Sequence, residues 1–294
     1  MPSAPRNITR RTFLHSTAAT AATAATAATL SFSLTGPGVR ADGIARRYSR
    51  LPRRGLLGEV VVETEVKDQK IFTEGPAVDA RGIVHFTNVP VEKILRWDPV
   101  RKKLSVFRTG SNKANGLLFD PAGRLLACEG GAGRVTRTDM ATGKITVLAD
   151  KFNNFPLAAP NDLALLRSGT LFFTSRPGNP DPTKGNPNAV YQLDLATKKP
   201  VGRILHRVLE WKNIQMPNGI VSSPDDKVLY VIEAHPDAGH NRLIYAYHLD
   251  RDDCWKTPRT LINFSPGRSG DGMCIDAEGN LYVAAGLHKT RKTS

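Results

Sequence analysis

The fold class predicted is all-β, a propeller, and three observations predict it. Five segments repeat one layout: a polar, oxygen-bearing residue, usually glycine next, a short apolar run, a turn, and a strand rich in Leu, Val, Ile or Phe. The five leading residues, Glu74, Asn115, Asn161, Asn218 and Asp271, are 41 to 57 residues apart, the length of a four-stranded blade or slightly more. No stretch repeats apolar residues at helical spacing beyond two turns, which disfavours the α/β classes.

Taken in order, residues 1–41 read as an export signal. Thr9-Arg10-Arg11-Thr12-Phe13-Leu14 looks like a twin-arginine motif, an Ala-Thr tract runs from Ala18 to Thr29, and Val39-Arg40-Ala41 offers a small-residue cleavage site. The threonines make that tract too polar for a stable membrane span, so the expected destination is the periplasm or the cell exterior. Residues 42–57, with Arg46, Arg47, Arg50, Arg53 and Arg54 among Gly and Pro, read as a basic linker ahead of a propeller domain over 58–294. Gly58 to Val66 alternates and predicts a strand. Further strands are expected at Ile83–Thr87, Ile94–Trp97, Leu104–Phe107, Leu125–Cys128, Gly133–Thr138, Ile145–Leu148 and Val228–Ile232, each bounded by Asp, Asn, Gly or Pro. Arg176 to Asn188 holds four prolines and predicts a surface insertion, a plain loop or a lid. Glu233, His235, Asp237 and His240, two histidines and two acids in eight residues, could bind a transition metal, although irregularly spaced loop histidines are more often unligated. After Ala285 too few residues follow for the rest of a blade, so the last blade is expected to be incomplete in this chain.

The leading residues of equivalent propeller strands converge on the axis. Carboxylate and amide oxygens brought together there suit a hard divalent cation such as calcium or magnesium. Asn-Gly and Asp-Gly are also the commonest hairpin turns, but Glu74-Gly75-Pro76 and Asn161-Asp162 make poor turns of that type, which favours the shared register. Net charge is +14; without the four arginines of residues 1–41 it is 37 minus 27, or +10. The basic residues are scattered rather than striped with aromatics, which argues against nucleic acid. Cys128, Cys254 and Cys274 have no zinc spacing and predict no disulfide framework; Cys128 and Cys274, in apolar strands, are expected to be buried. No Gly-x-Ser-x-Gly elbow is present, which disfavours a serine hydrolase.

Glu74-Gly75-Pro76, Ile94-Leu95-Arg96-Trp97-Asp98, Pro160-Asn161-Asp162, Pro217-Asn218-Gly219 and Asp271-Gly272-Met273-Cys274-Ile275-Asp276-Ala277-Glu278-Gly279, in that order, resemble the gluconolactonase and regucalcin-like family of six-bladed propellers, from about Val60 to Gly286. The resemblance implies hydrolysis of sugar lactones and one divalent cation: calcium first, with zinc, magnesium or manganese as alternatives. It implies Glu74, Asn218 and Asp271 as metal ligands, Asn161 as a contact to metal or substrate, and Asp271 as the catalytic base; Asn115 is expected to assist on the substrate side. The chain departs from the family at Ala159, where some members carry a sugar-contacting Arg, and at Ser175, where many have Asp. The rival reading is a secreted carbohydrate-binding or scaffolding propeller with a structural metal, or an inactive truncated homologue.

Overall fold

A computed structural model describes residues 61–179, 181, 183–195, 205–210, 214–237, 239–251 and 254–285. The chain divides into two units, residues 1–65 and 66–294. In the first, the described residues 61–65 form no strand, so the strand expected over Gly58–Val66 is not formed across its described part. Val61 and Val62 there are 54% and 67% exposed, and alternation without a ladder partner does not make a strand. The expected export signal and linker lie outside the described residues.

The second unit is built from antiparallel meanders. The first sheet is β1 (Thr73–Val78), β2 (Val84–Asn88), β3 (Lys93–Asp98) and β4 (Lys103–Thr109). The next is β5 (Ala114–Phe119), β6 (Leu125–Glu129), β7 (Arg134–Thr138) and β8 (Ile145–Ala149), followed by a small hairpin of β9 (Lys151–Phe152) and β10 (Phe155–Pro156). The third is β11 (Pro160–Leu165), β12 (Thr170–Ser175), β13 (Ala189–Asp194) and β14 (Leu205–Glu210). The fourth is β15 (Pro217–Ser222), β16 (Val228–Ala234), β17 (Arg242–His248) and β18 (Arg259–Asn263), and a two-stranded sheet of β19 (Gly270–Ile275) and β20 (Leu281–Ala285) ends the described chain. The opening strands β1, β5, β11, β15 and β19 neighbour one another in chain order, as blades do around an axis.

Sheets stacked face to face bury both faces of the middle strands. Leu125 to Cys128 are therefore all buried, as are Leu171 to Phe173. Three apolar clusters fill the gaps: Ala77, Ile94, Leu117 and Leu125 between the first two sheets, Leu126, Leu163, Phe173 and Tyr191 between the next two, and Phe172, Ile220, Val231 and Tyr247 between the third and fourth. Each such side chain contributes roughly 1.5–3 kcal/mol on burial.

The turn-opening residues, five positions after each leader, all donate their backbone N–H across the hairpin: Asp79 to Ile83, Asp120 to Arg124, Leu166 to Thr170, Ser223 to Val228 and Asp276 to Asn280. Asp79, Asp120 and Asp276 also accept two turn N–H groups each on one carboxylate oxygen. A second device lies at the far ends of β2, β6, β12 and β16. Asn88, Glu129, Ser175 and Glu233 are buried there and grip the segment that leads into their own blade. Asn88 accepts Phe72 N–H, Glu129 accepts the Asn112 amide, Ser175 accepts Ala159 N–H, and Glu233 accepts the N–H groups of Gln215 and Met216 at 2.6 Å each.

Two expectations are corrected here. Cys274 is exposed rather than buried, because the outer side of the two-stranded sheet is uncovered among the described residues; Cys128 and Cys254 are buried. The Arg176–Asn188 insertion is only partly superficial. Asn186 is 3% exposed and donates to Phe152, Phe155 and Pro156 carbonyls, which staples the insertion onto the β9–β10 hairpin.

Candidate functional site

The Asn-Gly pairs are not turns. Asn115-Gly116 lies inside β5 and Asn218-Gly219 inside β15, and all five leaders sit at a register shift in their opening strand: Glu74/Ala77, Ala114/Leu117, Pro160/Leu163, Pro217/Ile220 and Gly270/Met273. A bulge re-aims the side chain it carries, so one irregularity repeated five times gives five similarly aimed polar groups. The glycines explain how the strands come so close. A Cβ on Gly75 would stand 2.1 Å from Asn115 O, one on Gly116 would stand 2.7 Å from Asn161 O, and one on Gly219 would stand 2.4 Å from Asp271 O. In the third blade Asp162 takes the glycine's place, and its carboxylate spans the gap to accept Ile220 N–H at 3.1 Å. Thr87 Oγ1 lies 3.1 Å from both Glu74 O and Asn115 O, which ties the first blade to the second.

Around this hub Asn218 Nδ2 donates to Asp271 Oδ1 at 2.6 Å. The Glu74 carboxyl is pushed up to about 7 by burial and then by the charges of Asp271 and Asp162. Asp162 is pushed up to about 6, chiefly by burial, with Asp271 adding to it and the N–H groups of Ile220 and Leu163 opposing. Three carboxyl groups from different sheets thus crowd one place and resist sharing full charge. Arg176, the first residue of the insertion, is their neighbour: burial lowers its pKa, while Asp271, Glu74 and Glu233 hold it up.

A depression of about 290 Å³ opens beside the hub, lined by Lys113, Asn115, Gly130, Gly131, Ala159, Pro160, Asn161 and Arg176. The expected site residues therefore fall into two adjacent groups. Asn115 and Asn161 line the depression, whereas Glu74, Asn218 and Asp271 form the charged hub, and Arg176 belongs to both. Sequence reasoning missed Asp162, Arg176 and Lys113, and took Glu233 for an acid of the histidine cluster, whereas its carboxylate accepts the N–H groups of Gln215 and Met216. Only Asp162 carried a signal, as an acid where the repeat has glycine.

The hub residues fit a hard divalent cation, since the donors are all oxygens and the carboxylates lack enough positive charge to offset their repulsion. Elsewhere, ligating atoms of His235, Asp237 and His240 lie within 4.8 Å of one another. The two imidazoles are stacked at 3.7 Å with planes 14° apart, His235 Nδ1 accepts Asp237 N–H, and His240 Nδ1 bonds Gln215 Oε1. With His235 Nδ1 accepting Asp237 N–H, the neutral His235 ring carries its proton on Nε2, so a metal would bind this cluster only by displacing one of the two.

Comparison with known proteins bears on the family and the fold. The profile of the SMP-30/Gluconolactonase/LRE-like region matches residues 72–291. The chain is 28% identical over 263 residues to a gluconolactonase of Zymomonas mobilis, covering 80% of this chain and 70% of that protein. It is 27% identical to the lactonase drp35 of Staphylococcus haemolyticus, covering 75% of this chain and 65% of the relative. Among solved structures, the gluconolactonase XC5397 of Xanthomonas campestris superposes with a TM-score of 0.60 at 29% identity, over 74% of this chain and 70% of that one. A regucalcin from Agrobacterium tumefaciens, 20% identical with a TM-score of 0.56 over 76% of this chain and 68% of its own, shares the fold. With the match spanning nearly all the described sheets, the chain belongs to the SMP-30/gluconolactonase/LRE-like family.

Proposed function

We propose that this protein hydrolyses a sugar lactone with the help of one divalent cation, calcium in the first instance, held by Glu74, Asn218 and Asp271 with Asn161 at the edge. The observation that carries the reading is the meeting of these residues from separate sheets: Asn218 on Asp271 at 2.6 Å, with Glu74 raised to about 7 by burial and then by the charges of Asp271 and Asp162. The names of the Zymomonas and staphylococcal relatives, gluconolactonase and lactonase, support the same chemistry. A cation bound there supplies Lewis-acid polarisation of the ester carbonyl.

The chain's own residues do the rest. Asp271 has one oxygen occupied by Asn218 Nδ2, which leaves the other to take a proton from the attacking water. Water oxygen bonds to the carbonyl carbon, the ring carbon–oxygen bond breaks, and the freed alkoxide takes the proton held on Asp271, giving a hydroxy acid and regenerating the carboxylate. Asn115 and Asn161 line the depression with amides that can donate to and accept from ring hydroxyls and so orient the lactone. Asp271→Asn keeps the shape and removes the base. It is expected to lower kcat by about a hundred- to ten-thousand-fold with an unchanged circular dichroism spectrum, read with a pH-indicator assay of lactone opening. Wild-type protein that opens no lactone with any divalent ion overturns the proposal.

We also propose that the protein acts outside the cytoplasm, on the strength of Arg10-Arg11 and the tract after them. Replacing both arginines by lysine is expected to leave the protein inside bacterial cells that export the wild type; unchanged export counts against it.

A further inference from the structure

The cationic side of the depression is not used by the hydrolytic reading. Arg176 N–H donates to Ala159 O at 2.9 Å, which pins this residue across the strand pair from the segment that carries Asn161. Its Nε is buried, and it has no hydrogen-bond partner among the described residues. Asp271, Glu74 and Glu233 offset its charge, but the buried Nε–H still lacks an acceptor, a cost that a ligand oxygen would remove. Lys113 stands on the same depression and is exposed. It is held in the left-handed region at φ 51°, directly after Asn112 at φ 52°, a conformation that non-glycine residues adopt mainly where the surroundings impose it. Gly131 N–H on Asn112 O at 2.8 Å and the Asn112 amide on Glu129 impose it here. Two cations and two amides thus face one space of about 290 Å³, the size of a single sugar ring rather than a chain of them.

We infer that the lactone taken by this protein carries a carboxylate: Arg176 and Lys113 receive the carboxylate end of a sugar-diacid monolactone, while its ester end lies toward Asp271. A guanidinium edge presents two parallel N–H donors matched to the two oxygens of a carboxylate, whereas a hydroxymethyl group offers one neutral oxygen that can accept from only one of them. The inference rests on the lactone-hydrolase reading and adds the substrate class to it.

The test compares the γ-lactone of gluconic acid with the corresponding monolactone of glucaric acid, which differ only in hydroxymethyl against carboxylate at the far end. Wild-type kcat/KM is expected to favour the glucaric lactone by about tenfold or more, through KM. In Arg176→Gln that preference falls by about 10- to 100-fold, and Arg176→Lys, which keeps charge but loses the fork, lies between. Glucarate itself is expected to bind the purified protein in calorimetry, more weakly at high salt and more weakly in Lys113→Gln, a comparison that stands even if the Arg176 variants fail to fold. Equal efficiency on both lactones, or a stronger preference for a phosphorylated gluconolactone, overturns the inference and leaves lactone hydrolysis intact. If neither lactone is opened, the hydrolase reading fails, and glucarate binding still decides for or against the anion site.

Discussion

Glu74 and Asp162 hold protons more tightly in the folded protein than in the unfolded chain, at about 7 and about 6 against ordinary values of 4.5 and 3.8. The sign of the consequence follows directly. Below the ordinary carboxylate range both states are protonated and these groups cost nothing. As pH climbs through that range to about 7 the unfolded chain ionises first, so the cation-free protein loses stability over this window and levels off above it. A divalent cation selects the ionised carboxylates, so its affinity is expected to rise over the same window, with protons released on binding. Calorimetry near pH 6 in two buffers of different ionisation enthalpy measures that release; an affinity flat in pH with no protons released removes Glu74 from the ligand set. Asp271 and Asn218 were readable as candidates from the repeat alone. Arg176 was not, because its importance comes from a cross-strand bond to Ala159 that no spacing in the sequence encodes.

The opening strands of the first, second and fourth sheets each depend on a glycine whose absent side chain is the contact. Gly219→Ala places a methyl 2.4 Å from Asp271 O, and Gly116→Ala places one 2.7 Å from Asn161 O, with backbone rather than a flexible side chain in the way. Each is expected to destabilise by about 1–3 kcal/mol and to disturb the hub, because the neighbouring leader must move. Gly272 occupies the matching position in β19 with nothing within 4 Å, so Gly272→Ala is expected to change stability by no more than about 0.5 kcal/mol. Urea unfolding of the three variants checks this, and equal losses would mean that strand propensity matters rather than contact. The strands themselves were legible because Asp79, Asp120 and Asp276 punctuate them with side chains that close the turns. The bulges were not. An Asn-Gly pair has the same letters whether it bends a hairpin or lets two strands touch, and only the five-fold register separates the cases. The roles of Glu129 and Glu233 were hidden for a related reason: each looks like the polar end of a strand, whereas each is a buried clasp on the segment entering its own blade, Glu129 through the Asn112 side-chain amide and Glu233 through the N–H groups of Gln215 and Met216.

Across the whole second unit, burial is uneven in a way that bears on the cation. Middle strands of the second and third sheets are buried on both faces, while in the β19–β20 sheet Tyr282 is 41% exposed and Cys274 is open to solvent. That sheet is attached through β19 to β15, and the bond from Asn218 to Asp271 is part of the attachment. Asp271 is therefore both a candidate ligand and the residue by which the least covered sheet is joined to the hub. A cation shared by Glu74, Asn218 and Asp271 would link the first and fourth sheets and β19 at one point, and the thinly covered β19–β20 sheet stands to gain local stability. Amide hydrogen exchange is expected to show slower exchange in Met273–Ile275 and Leu281–Val283 on adding calcium, with little change in Leu125–Cys128, and global stability rising by about 2.7 kcal/mol at a hundredfold excess over Kd. Asp271→Asn should abolish the local effect. Uniform protection across all sheets, or protection that survives this substitution, would place the cation away from the hub.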